Sequence, residues 1–169
     1  MINVVLAAGY ATRLGELTKN FPKPLLKIGN STILGRMLDD IDNIDDITEH
    51  VIVTNHKFAP IFEQWVAEQH YLKPITIIDD DSTANDNRLG AVRDLLLVLE
   101  SLPKQGDLEG LDDLLVVAAD NLLFFSFQEF VDFAYEKNTS CIMCHEQPSI
   151  EKLQRTGVVE MDANNKVTK

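Results

Sequence analysis

The segment Ile2-Asn3-Val4-Val5-Leu6 leads directly into Ala7-Ala8-Gly9-Tyr10-Ala11-Thr12-Arg13-Leu14-Gly15. A short apolar run of this kind predicts a buried strand, as found in parallel sheets. Small residues directly after such a strand let backbone amides approach a ligand, and consecutive N–H groups form an anion-binding concavity. Arg13 adds a permanently charged guanidinium that suits phosphate oxygens. The segment therefore indicates an anion site, although dinucleotide-binding folds and plain tight turns share this composition.

Apolar runs alternate with amphipathic segments of helical length along the rest of the chain. The strands are predicted over 2–6, 50–54, 75–79, 113–119 and 140–145, and the helices near 31–42, 58–70, 90–102 and 126–137. Ser31 or Thr32 is expected to cap the first helix, and Ser126 the last, where Glu129 would complete a capping box. Residues 103–110 are expected to form a surface loop. This alternation predicts an α/β fold with a parallel sheet.

The charge of the chain restricts its partners. The 169 residues carry a formal net charge of -12, which argues against nucleic-acid binding. Residues 1–36 run against this trend, with five basic side chains and one acidic side chain, which favours an anionic ligand there. No apolar run approaches the roughly 20 residues that span a bilayer, and no signal peptide is recognisable, so we expect a cytoplasmic protein without a membrane partner.

A second motif follows the first as Phe21-Pro22-Lys23-Pro24-Leu25-Leu26-Lys27-Ile28-Gly29. The two prolines disfavour a helix and predict an extended backbone on either side of Lys23. A lysine held in this way loses less entropy when it meets a phosphate. The alternative is a stiff surface linker with solvated lysines.

The cysteines and the acidic clusters are interpreted as structural. Cys141 and Cys144 form a C-x-x-C pattern in an apolar run, and we expect two reduced, buried cysteines on a strand rather than ligands. The run 79–81 and the aspartates within 39–46 are expected to be solvated strand-end and helix-end loops. The four histidines show no metal-ligand spacing. Asp120 differs, because a carboxylate after the apolar run 114–119 needs a cation or a hydrogen-bond partner, unless it serves as a cap.

Together, L-A-A-G-x-x-T-R-L and F-P-K-P-L-L-x-I-G resemble the nucleotidylyltransferase family of sugar-phosphate pyrophosphorylases. Three later stretches agree with that family in order and spacing: Asn87-Arg88-Leu89-Gly90-Ala91, Val116-Val117-Ala118-Ala119-Asp120-Asn121-Leu122 and Thr156-Gly157-Val158-Val159-Glu160. The resemblance covers essentially the whole chain. It implies a Rossmann-like three-layer α/β/α fold with a mostly parallel sheet, similar to nucleotide-diphospho-sugar transferases.

The resemblance also implies an activity and the residues for it. A nucleoside monophosphate would pass from an NTP to a sugar 1-phosphate with release of pyrophosphate. Arg13 and Lys23 would be catalytic, Asp120 would bind Mg²⁺, and Asn121 and Gly157 would bind the acceptor. The residues that would bind the nucleotide are Leu6, Ala7, Ala8, Gly9, Tyr10, Ala11, Thr12, Thr83, Asn87, Leu89 and Gly90. The loop preceding the third helix favours a pyrimidine base mildly, and a homo-oligomer stays open.

The sequence departs from the family pattern in three places. Ala11 and Ala119 stand where the family usually has glycine, and Ala11 would be strained if its φ is positive. The predicted strands 157–161 and 166–168 form a hairpin, and the family's later Glu-Lys-Pro string, with a second metal-binding aspartate beyond it, does not follow. We therefore expect residues 1–169 to be an incomplete nucleotidyltransferase domain, the nucleotide-binding half. The alternative is a non-catalytic nucleotide-binding or regulatory module; a dinucleotide binder is disfavoured because Gly9 and Gly15 do not form G-x-G-x-x-G.

Overall fold

A computed structural model describes residues 1–102, 113–154 and 156–168, and for Arg13 it describes the backbone alone. The chain divides into two compact units, Met1–Phe133 and Ala134–Lys169. The loop predicted over 103–110 lies outside the described residues. No helix in the described ranges combines the length and apolar character required to cross a membrane.

The predicted helices and the first four predicted strands are confirmed. The strands are β1 (Ile2–Leu6), β2 (Lys27–Ile28), β3 (Ser31–Thr32), β4 (Glu49–Thr54), β5 (Ile75–Asp79) and β6 (Leu114–Ala118). The helices are α1 (Glu16–Lys19), α2 (Ile33–Ile41), α3 (Ala59–Ala67), α4 (Ala91–Ser101), α5 (Phe127–Lys137) and α6 (Ile150–Leu153). The short elements α1, β2, β3 and α6 were not predicted, because a few residues carry too little periodicity to be recognised.

The central sheet has the strand order β5-β4-β1-β6, and every pairing in it is parallel. Val4 lies opposite Val51 on one side and Val116 on the other. The apolar run of β1 is explained by this position, since a central strand covered on both faces has no solvent-facing side. The predicted α/β class with a mostly parallel sheet is therefore correct.

Helices cover the sheet on both faces and complete the three layers. Leu34 of α2, Phe62 of α3 and Val131 of α5 belong to one apolar core together with Val5. Val98 of α4 belongs to a second core on the other face, which also contains the buried side chain of Val4. Thr32 caps α2 by accepting from the Gly35 amide at 2.9 Å. Ser126 caps α5 as predicted, accepting from the Glu129 amide at 3.1 Å.

A buried polar network connects β1 and β4 to the residue that follows α2. His50 lies between Asn3 Nδ2, 2.8 Å from its Nδ1, and Asp42 Oδ1, 3.2 Å from its Nε2. Burial lowers the pKa of His50 and favours the neutral ring, so Nε2–H donates to Asp42 while Nδ1 accepts from Asn3. Burial alone would raise the pKa of Asp42, but the Leu72 and Lys73 amides and His50 lower it overall. The expectation of a solvated loop was wrong for Asp42.

The second unit differs from prediction around its cysteines. Residues 140–145 belong to no strand, and Cys144 is exposed while Cys141 is half-buried. Both thiols are free, as expected, but the predicted burial on a strand was wrong. Without ladder partners this segment has no covered face for its side chains. The predicted hairpin is reduced to a single bridge between Met161 and Val167.

Candidate active site

The turn after β1 lies at the carboxyl edge of the sheet. Ala7 and Ala8 are buried, and the Ala7 amide donates to the carbonyl of Val53 at 2.8 Å, which continues the sheet pairing. Ala11 has φ 46° and ψ 38°, so the positive φ considered from the sequence is present. An L-residue in this conformation costs roughly 1–2 kcal/mol. The hydroxyl of Thr18 donates to the Ala11 carbonyl at 2.9 Å and holds the strained residue in place.

The motif around Lys23 is more compact than predicted. Pro22 is extended at φ -70° and ψ 134°, but Lys23–Leu25 form a turn of 3-10 helix, so the extended path predicted through Lys23 was wrong. Pro24 tolerates this position because the missing N–H would have no partner in a first turn. Pro24 and Leu25 are buried, which anchors the turn and directs the Lys23 side chain from a fixed base.

Lys23 and Asp120 meet although they are 97 residues apart. Lys23 Nζ lies 3.3 Å from Asp120 Oδ2, and Asn121 Nδ2 donates to Asp120 Oδ1 at 2.9 Å. The pairing of β6 with β1 continues one residue past β6, since the Ala119 amide donates to the carbonyl of Leu6, the last residue of β1, at 3.1 Å. The side chain of Asp120 is 57% exposed rather than enclosed by apolar residues, and Lys23 and Asn121 supply the hydrogen-bond partner expected for it. The side chain of Arg13 lies outside the described residues.

The loop before α4 is held together by one side chain. Asn87 Oδ1 accepts from the amides of Thr83 and Ala84 at 3.1 and 2.9 Å, and its Nδ2 donates to the Thr83 hydroxyl at 3.2 Å. Gly90 has φ +86° and precedes α4, with open space where a Cβ would stand. Leu89, beside it, is half-buried. The loop therefore has internal order, and no atom crowds the Cα of Gly90.

Two carboxyl groups next to this loop, one before it and one on α4, are buried. Their burial was not predicted from the sequence. Asp80 and Asp94 are each 4% exposed, and Asp80 Oδ2 and Asp94 Oδ1 have no hydrogen-bond partner among the described residues. Burial, and then the charge of Asp80, raises the pKa of Asp94 to about 6. The solvated strand-end loop expected for 79–81 was thus wrong at its middle residue. Asp94 stands four residues before the apolar Val98 on α4, a spacing that could have indicated its burial.

Replacing Asp94 with asparagine is expected to make the protein less sensitive to rising pH. The pKa of Asp94 is raised from 3.8 to about 6 in the folded state. The contribution of Asp94 to the free energy of unfolding is therefore fully present below its unfolded-state pKa, and it is lost as pH rises through about 6. Asparagine stays neutral, and D94N should gain up to ~3 kcal/mol relative to wild type between pH 4 and pH 7. The measurement is the free energy of unfolding against pH, with exposed Asp86→Asn as the control. Parallel curves for D94N and wild type would contradict it.

His56, Asp79 and Asp81 form a cluster whose side-chain ligand atoms all lie within 4.8 Å of one another. His56 Nδ1 lies 2.6 Å from Asp79 Oδ2, and this hydrogen bond is the largest cause that raises the pKa of His56. Both His56 and Asp81 are exposed. Since the members already pair with one another in the open, the cluster is an exposed ion pair and carries no metal assignment.

The two residues expected to bind the acceptor, Asn121 and Gly157, belong to different units. Asn121 lines a groove of about 920 Å³ between residues 28–31, the outer face of α2 and residues 122–127. Neither Lys23 nor Asp120 lines this groove, although Asn121 bonds to Asp120. Gly157 belongs to the second unit, where a Cβ on it would meet open space.

The sequence is similar to known enzymes. Residues 2–169 match the family model described as nucleotidyl transferase. A 2-C-methyl-D-erythritol 4-phosphate cytidylyltransferase of Bifidobacterium longum (strain DJO10A) is 32% identical over 92 residues, which cover 54% of this chain and 31% of that protein. A glucose-1-phosphate adenylyltransferase of Fervidobacterium nodosum is 24% identical over 179 residues, which cover 99% of this chain and 41% of the relative. The chain spans less than half of the length of both relatives.

Solved structures share the fold. HddC from Yersinia pseudotuberculosis gives a TM-score of 0.66 at 14% identity over 99% of this chain and 67% of that one. CTP:phosphocholine cytidylyltransferase from Streptococcus pneumoniae gives 0.52 at 24% identity over 75% of this chain and 48% of that one. Identities this low support the fold alone, whereas the family model covers nearly every residue. The chain therefore belongs to the nucleotidyl transferase family.

Proposed function

We propose that this chain is the nucleotide-binding portion of a sugar-phosphate nucleotidylyltransferase, which transfers a nucleoside monophosphate from an NTP to a sugar 1-phosphate and releases pyrophosphate. The observation that carries the proposal is the 3.3 Å approach of Lys23 Nζ to Asp120 Oδ2 at the carboxyl edge of the sheet. Open α/β sheets bind their ligands at that edge. At this edge the ammonium group of Lys23 could bind a phosphate, and the neighbouring carboxylate of Asp120 could bind a cation.

The turn after β1 supports the phosphate-binding part of the proposal. Its backbone from Ala8 to Thr12 leads into a 3-10 turn, and a Cβ on Gly9 would meet nothing within 4 Å. The backbone there would bind a triphosphate, and Arg13 is proposed for the β- and γ-phosphates. Lys23 would bridge the nucleotide and the incoming sugar phosphate and keep attacking oxygen and α-phosphorus in line. Transfer to a phosphate oxygen needs positioning and charge neutralisation more than covalent help from the protein.

Asp120 fits a magnesium ion by its chemistry. Mg²⁺ prefers oxygen ligands and is usually held by one or two carboxylates together with substrate phosphates and water. The exposed carboxylate of Asp120 offers such a ligand, while Asn121 fixes its second oxygen. A bound Mg²⁺ would neutralise charge on the phosphates. With Lys23 bound to a phosphate, the carboxylate of Asp120 would be available to hold the cation.

The base and the acceptor are assigned by resemblance. The loop with Thr83, Asn87, Leu89 and Gly90 would receive the base, and the internal hydrogen bonds of Asn87 support it as the residue that shapes the loop. A pyrimidine stays the mild preference. The relatives' names include cytidylyl and adenylyl transfer, so they favour neither class. Asn121 and Gly157 are proposed for the acceptor, and a homo-oligomer, a cytoplasmic location and a single incomplete domain stay predictions.

A ligand panel tests the proposal and separates it from a purely regulatory module. The thermal midpoint should rise with NTPs in the presence of Mg²⁺, because a ligand of the native state stabilises it by mass action. Pyrophosphate release with sugar 1-phosphates then reports turnover. Binding without turnover would favour the non-catalytic module on the same fold. The absence of any shift with all NTPs and nucleotide sugars would overturn the proposal.

A further inference from the structure

We infer that Tyr10 is a positioning residue that couples the phosphate-side turn, residues 8–12, to the base-side loop, residues 83–90, through the carbonyl of Ser82. The inference rests on the proposed function and deepens it, because it concerns how the two halves of one nucleotide site are held in register. Tyr10 belongs to the first segment by sequence, and its hydroxyl reaches the residue directly before the second.

The contact is a hydrogen bond between residues 72 positions apart. Tyr10 Oη donates to the Ser82 carbonyl at 2.8 Å. The phenol ring packs against Phe58, with ring centroids 6.1 Å apart and planes inclined by 42°. Burial raises the pKa of Tyr10, so the hydroxyl keeps its proton and remains a donor. A ring fixed by packing can hold its hydroxyl in one place with little further loss of entropy.

Ser82 is itself a rigid point of attachment. Its carbonyl also accepts from the His56 amide at 3.0 Å, and its own amide donates to Asp80 Oδ1 at 2.8 Å. Ser82 is buried, whereas Thr83 and the residues up to Arg88 are exposed. The base-side loop therefore begins at a residue held by the segments that follow β4 and β5 and by Tyr10.

The coupling has a consequence for ligands that contact both segments. A nucleotide with its phosphates on residues 8–12 and its base on residues 83–90 requires a fixed distance between them. An inorganic polyphosphate uses the first segment alone. When the hydroxyl of Tyr10 is removed, Ser82 keeps its bonds to His56 and Asp80, so the fold is retained. Without this hydrogen bond the two segments are less fixed relative to each other. A ligand that contacts both must then order them on binding, which costs binding free energy through entropy.

The test is Tyr10→Phe, which removes one hydroxyl and keeps the ring against Phe58. Affinities are measured by calorimetry for Mg²⁺ with an NTP and for Mg²⁺ with inorganic tripolyphosphate. We expect the NTP to bind about fivefold more weakly, the equivalent of one neutral hydrogen bond, and tripolyphosphate to bind as to wild type. Amide hydrogen exchange of residues 83–90 should become faster in the unliganded variant. Tyr71→Phe, before β5 at the opposite edge of the sheet, is the matched control.

Two results would overturn the inference: an equal loss of affinity for both ligands, or unchanged exchange in residues 83–90. If wild type binds no nucleotide, the proposed function fails, and the exchange measurement alone then decides. Faster exchange in Tyr10→Phe but not in Tyr71→Phe would still support the coupling, and no difference would refute it.

Discussion

Replacing Lys23 with alanine is expected to raise the dissociation constant of Mg²⁺-NTP at least about tenfold and leave the stability of the protein nearly unchanged. A charge-assisted hydrogen bond to phosphate contributes about 1.5–3 kcal/mol, and 1.4 kcal/mol is a factor of ten. The pair with Asp120 is part-exposed, with side-chain exposures of 28% and 57%, so its contribution to folding is about 0–1 kcal/mol at most. Calorimetric titration and thermal unfolding measure the two effects separately.

A second lysine of the same motif provides the control for Lys23. Lys27 lies four positions along on β2 and is exposed, so Lys27→Ala removes the same charge from the same region without touching Asp120. Where turnover is measurable, Lys23→Ala should lower kcat by about 10²–10³, the range for loss of one group that stabilises developing charge. Equal effects of the two substitutions on nucleotide affinity would show that Lys23 has no special position. Undiminished binding in Lys23→Ala would remove it from the site.

Replacing Asp42 with alanine is expected to lower the free energy of unfolding by about 3 kcal/mol. Its carboxylate accepts from the Leu72 and Lys73 amides at 2.6 and 2.9 Å and from His50. Alanine would leave these donors without an acceptor, and an unsatisfied buried polar group costs about 1–3 kcal/mol. His50 is fully buried and has no route to water as a replacement.

Denaturant unfolding measures the effect of Asp42→Ala, and Asp45→Ala is its control. Asp45 lies in the same acidic run but is exposed, so its removal should change stability by less than about 0.5 kcal/mol. A similar loss of stability in both variants would mean that the hydrogen bonds around His50 contribute no more to stability than any single negative charge of this run. Under conditions in which the variant is fully folded, its affinity for nucleotide should equal that of wild type, because Asp42 lies before β4, away from the carboxyl edge of the sheet.

The regular elements could be predicted because their patterns are local. The apolar run Ile2–Leu6 and the amphipathic segment Ala91–Ser101 each contain enough residues for their period to be recognised. Residues 140–145 have a similar apolar composition but form no strand, since a strand requires a neighbour in space. The 3-10 turns at Thr12–Leu14 and Lys23–Leu25 have no sequence period and depend on the packing around them.

The candidate site was predictable in its residue types but not in its contacts. Motifs identified Lys23 and Asp120, and their spacing in sequence says nothing about the 3.3 Å between them. Asp80 and Asp94 escaped prediction because their sequence neighbours are polar or helical, whereas their burial results from the packing of α4 against the sheet, on β1 and β4. Tyr10 stood within the first motif, but its partner Ser82 is set by the strand order.

By itself, the sequence determined the α/β class, the order of its long elements and the family. The tertiary structure decided which side chains meet. Parallel pairing of β1 with β6 brings their carboxyl ends to one edge, where Lys23 reaches Asp120, and the pairing of β1 with β4 encloses His50 with Asp42 away from that edge. The physical reason is that periodicity records which face of an element is buried, whereas the identity of the neighbour on that face depends on the packing of the whole chain.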